Sequence, residues 1–355
     1  MVTSILNAAK YLAKKDHEVM IFTTAKKRTT IPKMRITYLP SIDILRYPDF
    51  PIGVPSTQSL KVLAAFKPDI IHCHMPSFLG WEGLAYGKIK GIPVIGTYNT
   101  LLPEFLDHVK MPIKNAKLSK FPFAKSITWN YTKHFYNRCN TVITPSNAMK
   151  KELKRHGITA PIRVVSNGVD TTLFYPRKVN KKRRTILHVG RLSYEKRIDI
   201  LIEAFKTIQE TSSDTTLVIA GSGPQEKYLQ DFAKYVKNIK FLGSVPHNKL
   251  PKLYSSAALF ATASPIETEG LVVLEAMACG LPIVGVNAGA IPDIVKDDSN
   301  GFIAPSNNPR MLADRITRIL KGTKLRKKME KSSLIAVKKY AIENTIRQLE
   351  KIYKE

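Results

Sequence analysis

Apolar positions along this chain fall into two alternating rhythms. The opening stretch "MVTSILNAAKYLAKKD" places Val2, Ile5, Leu6, Ala9 and Leu12 at helical spacing, which predicts an amphipathic helix. Short apolar runs then follow at "HEVMIFTT" (17–24), "PDIIHCH" (68–74), "IPVIGTY" (92–98) and "NTVITPS" (140–146). Their length, β-branched content and flanking prolines or glycines favour buried strands over helices. Helical stretches lie between them, as in a parallel sheet wrapped by helices. The pattern restarts with "RTILHVG" (184–190), "TTLVIAG" (215–221), "IKFLG" (239–243), "AALFATA" (257–263) and "LPIVGV" (281–286). Between the two sets, "NGVDTTLFYPRKVNKKRR" (167–184) combines a turn signal, a proline and a charge run, and reads as a linker. The expectation is an α/β protein of two doubly wound domains, residues 1–176 and 177–335. Ligands of such sheets bind beyond the carboxyl ends of the strands, so two facing sheets would form a cleft.

Length agrees, since 355 residues exceed what one core usually holds. No run approaches the length of a transmembrane helix. The start lacks the short apolar core and small-residue cleavage site of a signal peptide. Cys73, Cys139 and Cys279 are far apart with no CxxC pair; they read as reduced thiols of a cytoplasmic protein and argue against a zinc site. Charge adds the strongest compositional fact, a net +28. Residues 1–176 carry 25 basic and 10 acidic side chains, so the excess is not confined to one half. Nucleic acid, anionic lipid or an anionic small molecule would each suit it, as would simple solubility. No nucleic-acid recognition motif accompanies the charge.

Candidate chemistry concentrates in "SPIETEGLVVLEAMACG" (264–280). Gly280 and Pro282 are helix-stop signals, so Glu267 should stand just before a helix and Glu275 inside it. At 1.5 Å per residue, Glu275 lies roughly 7 Å along the axis. The N–H groups at the helix start can hold an anion, and Gly270 lets a ligand approach the backbone. Carboxylates accept hydrogen bonds from adjacent hydroxyls. The spacing suits a ligand with sugar, diphosphate and sugar in series; equally, Glu267 could cap the helix and Glu275 be a surface charge. A second anion site stands in "HVGRLSYEKRIDILIEAF" (188–205), where Arg191 follows a strand and Gly190, and Lys196 opens a helix. The "AGSGP" turn (220–224) adds little alone.

Together, "GRLSYEKRIDILIEAF" and "ETEGLVVLEAMACGLPIVG" resemble glycosyltransferase family 4, glycosyl transferases of group 1. The order and spacing of "PDIIHCH", "TPS", "NGVD" (167–170) and "GSVPHNKL" (243–250) also match, over essentially the whole chain. The resemblance implies a GT-B fold of two Rossmann-like domains, the first binding acceptor and the second nucleotide-sugar, with a C-terminal helix near 336–355 packing back on the first. It implies retaining, metal-independent hexosyl transfer with no cofactor beyond the nucleotide diphosphate sugar, UDP-sugar foremost. Arg191 and Lys196 would hold the diphosphate and Glu267 would contact hydroxyls of the transferred sugar. Gly270 and Leu271 would offer N–H groups to the phosphates. Glu275 would bind the ribose, and Val245 would sit against the base. Two carboxylates alone would also suit glycoside hydrolysis, but the phosphate clamps argue against it.

Three departures stand out. Family members open with a strand and a glycine-rich loop before the helix matched by "VTSILNAAKYLAKKDHEV", so the N-terminal sheet is expected to lack its first strand; a start codon assigned too late is favoured over a fragment or impaired activity. At "IGTYNT" (95–100), Asn99 stands where many relatives carry a histidine; it can hydrogen-bond near the transferred sugar but cannot carry a proton. His72, His74 and His108 are further candidates or ordinary core and surface residues. Glu269 stands where relatives carry an aromatic or glutamine.

For the acceptor, "FLDHVKMPIKNAKLSKFPFAKSITWNYTKHFYNRCN" (105–140) interleaves six lysines between Lys110 and Lys133 with Phe, Met, Ile and Trp129. That composition suits anionic lipid, interrupted by Pro112 and Pro122. With "SFLGWEGLAYG" (77–87) and "GTYNTLLPEFLDH" it resembles diacylglycerol glucosyltransferases. The expected protein is a cytoplasmic, peripheral membrane enzyme of glycolipid synthesis with a lipid acceptor. A soluble or polysaccharide acceptor, or a non-catalytic binder of nucleotide-sugar or anionic lipid, are the alternatives.

Overall fold

The computed structural model describes the chain except Met1 and residues 26–27, 29, 33, 45–46, 55–56, 106–121, 181 and 183. Two compact units result: Met1–Ser166 with Thr345–Glu355, and Asn167–Asn344.

In the first unit, β1 (Val19–Thr23) pairs in parallel with β2 (Met34–Tyr38), and β3 (Ser41–Ile44) pairs antiparallel with β4 (Tyr47–Gly53). A separate parallel sheet runs in the order β5 (Ile71–Cys73), β6 (Val94–Thr97), β7 (Thr141–Thr144), β8 (Ile162–Val164). β1 and β5 each keep an edge that pairs with no other described strand, so the parallel strands of this unit fall into two pieces, apart from the β3-β4 pair. The core gathers Leu84, Val94, Phe135, Val142 and Leu153 from both faces of the four-stranded sheet. The helix Ile342–Lys354 returns here, where Glu350 receives Lys15 at 2.5 Å and Arg163 binds Glu355 at 2.9 Å.

The second unit is a six-stranded parallel sheet: β9 (Thr185–Val189), β10 (Thr216–Ala220), β11 (Ile239–Phe241), β12 (Leu259–Ala261), β13 (Ile283–Val286) and β14 (Gly301–Ala304). Its order is β11-β10-β9-β12-β13-β14. Succession runs outward from β9 in both directions, so β9 and β12 flank the switch point where an open α/β sheet receives ligand. All five residues of β9 are buried, as expected for a strand covered on both faces. Two hydrophobic clusters cover those faces, one around Leu201, Phe205 and Ile316, the other around Tyr254, Phe260 and Met277. The predicted linker is partly built into the second: Val169 and Phe174 are 2% exposed, and Val169 exchanges backbone bonds with Tyr340 and Ile342.

Every strand predicted from an apolar run is present. β2, β3, β4, β8 and β14 were not predicted. The exposed Arg35 interrupts β2 and the exposed Arg163 interrupts β8, so neither presents an unbroken apolar run.

Candidate functional site

The chain leaves β9 through Gly190 and Arg191, makes a 3-10 turn at Tyr194–Lys196 and enters the helix Ile198–Thr211. It leaves β12 through residues 262–270 and enters the helix Leu271–Ala278. The two loops are braced against each other. Lys196 Nζ donates to Glu267 Oε1 at 2.7 Å, and Ser264 Oγ donates to the Glu195 carbonyl at 3.3 Å. Arg197, left-handed at φ 46, forks onto Asp199 and reaches Asn307, which fixes the turn from its other side. The backbone of Glu267 is fixed as well: its carbonyl accepts from Ala290 N–H at 2.8 Å. A β-carbon on Gly289 would lie 2.6 Å from that carbonyl oxygen, so the approach needs glycine.

Gly270, at φ 86, is the N-cap of the helix Leu271–Ala278 and turns the chain where other residues would be strained. Glu267 therefore does not cap that helix. The first intrahelical bond runs from Val273 N–H to Gly270 C=O at 2.8 Å, so the N–H groups of Leu271 and Val272 precede it and are placed to hold an anion. The far end closes as the sequence predicts. Leu281 N–H bonds to Ala276 C=O and Gly280 N–H to Met277 C=O, a Schellman arrangement with Gly280 left-handed at φ 78. Glu275 is 9% exposed, which excludes a solvated surface charge. It accepts from the Tyr254 hydroxyl at 2.9 Å and lies 3.4 Å from His247 Nε2. Burial first, then the Glu275 charge, push the Tyr254 phenol well above its ordinary range, so it stays a donor. Val245, two residues before His247, packs half-buried against the same cluster. Arg191 is half-buried at the β9 turn.

Glu269 is the least exposed of the three carboxylates, at 2%. It turns to Asn167, accepting from the backbone N–H at 3.1 Å on each oxygen and from Nδ2 at 2.7 Å. The carboxylate that had no account in the sequence thus ties the "NGVD" segment to the loop that ends at Gly270. His188 is a second feature the sequence reading passed over, although a polar residue inside the apolar strand "TILHV" is a signal. Its Nδ1 donates to Ala261 C=O at 3.0 Å, which leaves Nε2 as an acceptor, and Nε2 has no hydrogen-bond partner among the described residues. Burial lowers its pKa to about 4, helped by Lys196 and opposed by the Ala261 carbonyl and Glu267, so the ring is neutral near pH 7. Tyr254 carried no sequence signal, and His247, although it lies in "GSVPHNKL", was not singled out there.

The remaining candidates lie in the first unit. Asn99 is half-buried just after β6. His72 is held between Tyr353 Oη at 2.6 Å and Thr97 Oγ1 at 2.5 Å, and stacks on His74 with ring centroids 4.3 Å apart. Burial, with each other's proximity for His72, holds both rings below the ordinary histidine range, His74 near 4. His72 is thus a satisfied structural residue. His108 and the lysines Lys110, Lys114, Lys117 and Lys120 lie outside the described residues. Among the described residues, no group of three or more His, Cys, Asp or Glu is arranged to hold a metal ion, and no helix is long and apolar enough to cross a membrane.

The pattern described as Glycosyltransferase Family 4 matches residues 1–173, and that described as Glycosyl transferases group 1 matches residues 170–334. An uncharacterised glycosyltransferase of Methanocaldococcus jannaschii is 34% identical over 84% of this chain and 78% of its own length. The chain therefore belongs to glycosyltransferase family 4, and it is a nucleotide-sugar-dependent glycosyltransferase. The alpha-monoglucosyldiacylglycerol synthase of Acholeplasma laidlawii is 25% identical over 99% of this chain and 92% of its own. The sulfoquinovosyl transferase SQD2 of Arabidopsis thaliana is 28% identical over 88% of this chain, which spans 61% of that protein's length. Anabaena HepE, solved in complex with UDP-glucose, superposes with a TM-score of 0.78 at 20% identity, covering 99% of this chain and 95% of HepE, and shares the GT-B fold.

Proposed function

We propose that this protein is a retaining, metal-independent hexosyltransferase that moves a sugar from a UDP-sugar to a membrane lipid, diacylglycerol or a glycolipid. It would work as a peripheral protein on the cytoplasmic face of the membrane. The first unit takes the acceptor and the second the donor.

The observation that carries the reading is the Lys196–Glu267 contact at the switch point, beside the helix that starts at Gly270. Breaking the bond between the anomeric carbon and the diphosphate leaves negative charge on a phosphate oxygen. Lys196, Arg191 and the N–H groups of Leu271 and Val272 stabilise that charge in place, with no reorganisation during the step. Glu267 holds the Lys196 ammonium and receives hydroxyls of the transferred sugar. Glu275, oriented by Tyr254 and His247, accepts from the ribose, and Val245 supports the base. Asn99 supplies hydrogen bonds to the sugar without moving a proton. The lipid acceptor is supported by the similarity to a protein named for monoglucosyldiacylglycerol synthesis and by the chain's net +28.

The test is a donor screen. Labelled nucleotide-sugars are incubated with the protein and anionic vesicles containing diacylglycerol, and the lipid is extracted. Label is expected in the lipid phase and is expected to be lost on Glu267→Ala or Lys196→Ala. Label recovered only in a water-soluble acceptor would sink the lipid reading, and no nucleotide release from any donor would sink the transferase reading.

A further inference from the structure

The helix Pro122–Tyr136 and the helix Asn147–Arg155 form a basic surface on the first unit. Together they carry six Lys or Arg and one acidic residue, Glu152, a density well above that of the chain as a whole. The inward face of the first helix is filled by Thr132, Phe135 and Tyr136, all buried. Two different stripes flank that face. Lys125, Trp129 and Lys133 recur every four residues and, with Arg155 and His156, line a cavity of about 460 Å³. Its wall is set by Trp129 and His156, stacked at 3.6 Å between centroids and 4° between planes. Glu152 holds Arg155 at 2.6 Å and His156 at 3.1 Å, which fixes the cation at the rim. The second stripe is apolar: Phe123 and Ile127, one turn apart, are 74% and 65% exposed.

We infer that this surface docks on an anionic lipid bilayer, with a phosphate-bearing lipid headgroup in the cavity and Phe123 and Ile127 in the apolar layer beside it. The inference rests on the lipid-acceptor reading for its purpose, but not for its geometry. Charge complementarity selects the occupant. Lys125, Lys133 and Arg155 converge on one cavity and suit a phosphodiester. Trp129 is held between the buried Tyr98 and His156, so it forms the inner wall of the cavity and does not insert itself. A free phosphate or a nucleic acid would match the cations and leave the Phe123 and Ile127 side chains in water; a bilayer removes both from water. Thr128 and Thr132 bond back to the carbonyls of Ala124 and Thr128, so these polar groups make no competing demand on the surface.

The experiment uses the full chain and phosphatidylcholine vesicles with and without phosphatidylglycerol, read by co-sedimentation. Wild type is expected to bind only the anionic vesicles, more weakly as salt rises. The triple variant Lys125→Ala/Lys133→Ala/Arg155→Ala should lose about a hundredfold in apparent affinity, whereas Lys125→Arg/Lys133→Arg should retain it. Phe123→Ser/Ile127→Ser should leave a weaker association that moderate salt abolishes. These side chains are half-buried or exposed, so an unchanged thermal melt certifies each variant as folded. Vesicle binding by the triple variant equal to wild type overturns the inference. So does binding that an oligonucleotide or a soluble glycerophosphodiester displaces and that Phe123→Ser/Ile127→Ser does not alter. Lys196→Ala should sediment like wild type. If vesicle binding follows this pattern while no donor is turned over, the transferase reading fails and the surface stands. If wild type transfers sugar while the variants bind normally, the reverse holds.

Discussion

The loops after β9 and β12 and the basic surface at Trp129 both collect charge, but they manage it oppositely. In the loops, Glu267, Glu269 and Glu275 are all at least nine-tenths buried and each has a named donor: Lys196, Asn167 and Tyr254. Buried carboxylates persist only where hydrogen bonds replace water. Their positions are therefore fixed before any ligand arrives. At the surface, cations stand at a cavity rim beside exposed apolar side chains, where water already solvates them and a single pair is worth little. The first arrangement suits recognition of one ligand in one orientation. The second suits attraction to an extended anionic face.

Substitution should separate the two most sharply in turnover. Lys196→Ala is expected to lower kcat about a hundred- to a thousandfold, the scale of losing one preorganised group that faces developing charge, with the substrate KM changed far less. A loss confined to KM would show that Lys196 binds donor and transition state equally, and would remove the contrast in preorganisation.

His188 provides the next largest effect, in stability against pH. Its pKa is depressed to about 4 from an ordinary 6.5. The folded state thus prefers the neutral ring. The unfolded chain binds the extra proton first as pH falls, so this contribution is complete above about 6.5 and is lost progressively down to about 4, on the order of 3 kcal/mol. Urea midpoints measured across that window should fall less steeply for His188→Gln than for wild type. Parallel curves would mean that the ring does not titrate as a buried neutral group. His74 shares the window, so the slope should be reduced and not abolished.

Glu269 comes third. Removing its carboxylate leaves the half-buried N–H and Nδ2 donors of Asn167 without their acceptor, which costs about 1–2 kcal/mol. Glu269→Ala should lower the melting temperature, and Asn167→Ala on top of it should add little, because both remove one contact. Additive losses would dissolve the clamp. Glu269→Gln keeps one acceptor oxygen and should recover part of the loss.

Legibility in the sequence followed the range of the forces involved. Buried parallel strands read directly, since both faces must be apolar, and "TILHV" or "LFATA" admits little else. The helix Leu271–Ala278 was bounded by Gly270 and Gly280, whose backbone demands are local. Glu269 was visible as an oddity but not as a clamp, because its partner lies 102 positions away in sequence and no spacing rule connects them. The same holds for Tyr254 under Glu275. The basic surface was half legible: the lysines and aromatics between 105 and 140 suggested a lipid face, but the cavity needs Arg155 and His156 from the next helix.

The smallest expected effect reverses sign between the regions. Glu152→Gln removes the one carboxylate among the described residues that line the cationic cavity, where it holds Arg155 and His156. The pair with Arg155 is largely solvated, so stability should change by no more than about 0.5 kcal/mol. One fewer negative charge near the bilayer should raise affinity for anionic vesicles roughly two- to fivefold, by up to about 1 kcal/mol before salt screening. The equivalent change in the donor loops, Glu267→Gln, removes the charge that holds Lys196 and should lower turnover. Side-by-side titration of both variants, vesicle binding for one and sugar transfer for the other, tests whether a carboxylate is an obstacle on one surface and a requirement in the other. Weaker vesicle binding by Glu152→Gln would mean that Glu152 positions Arg155 for the headgroup, and the surface would then be preorganised in the same way as the loops.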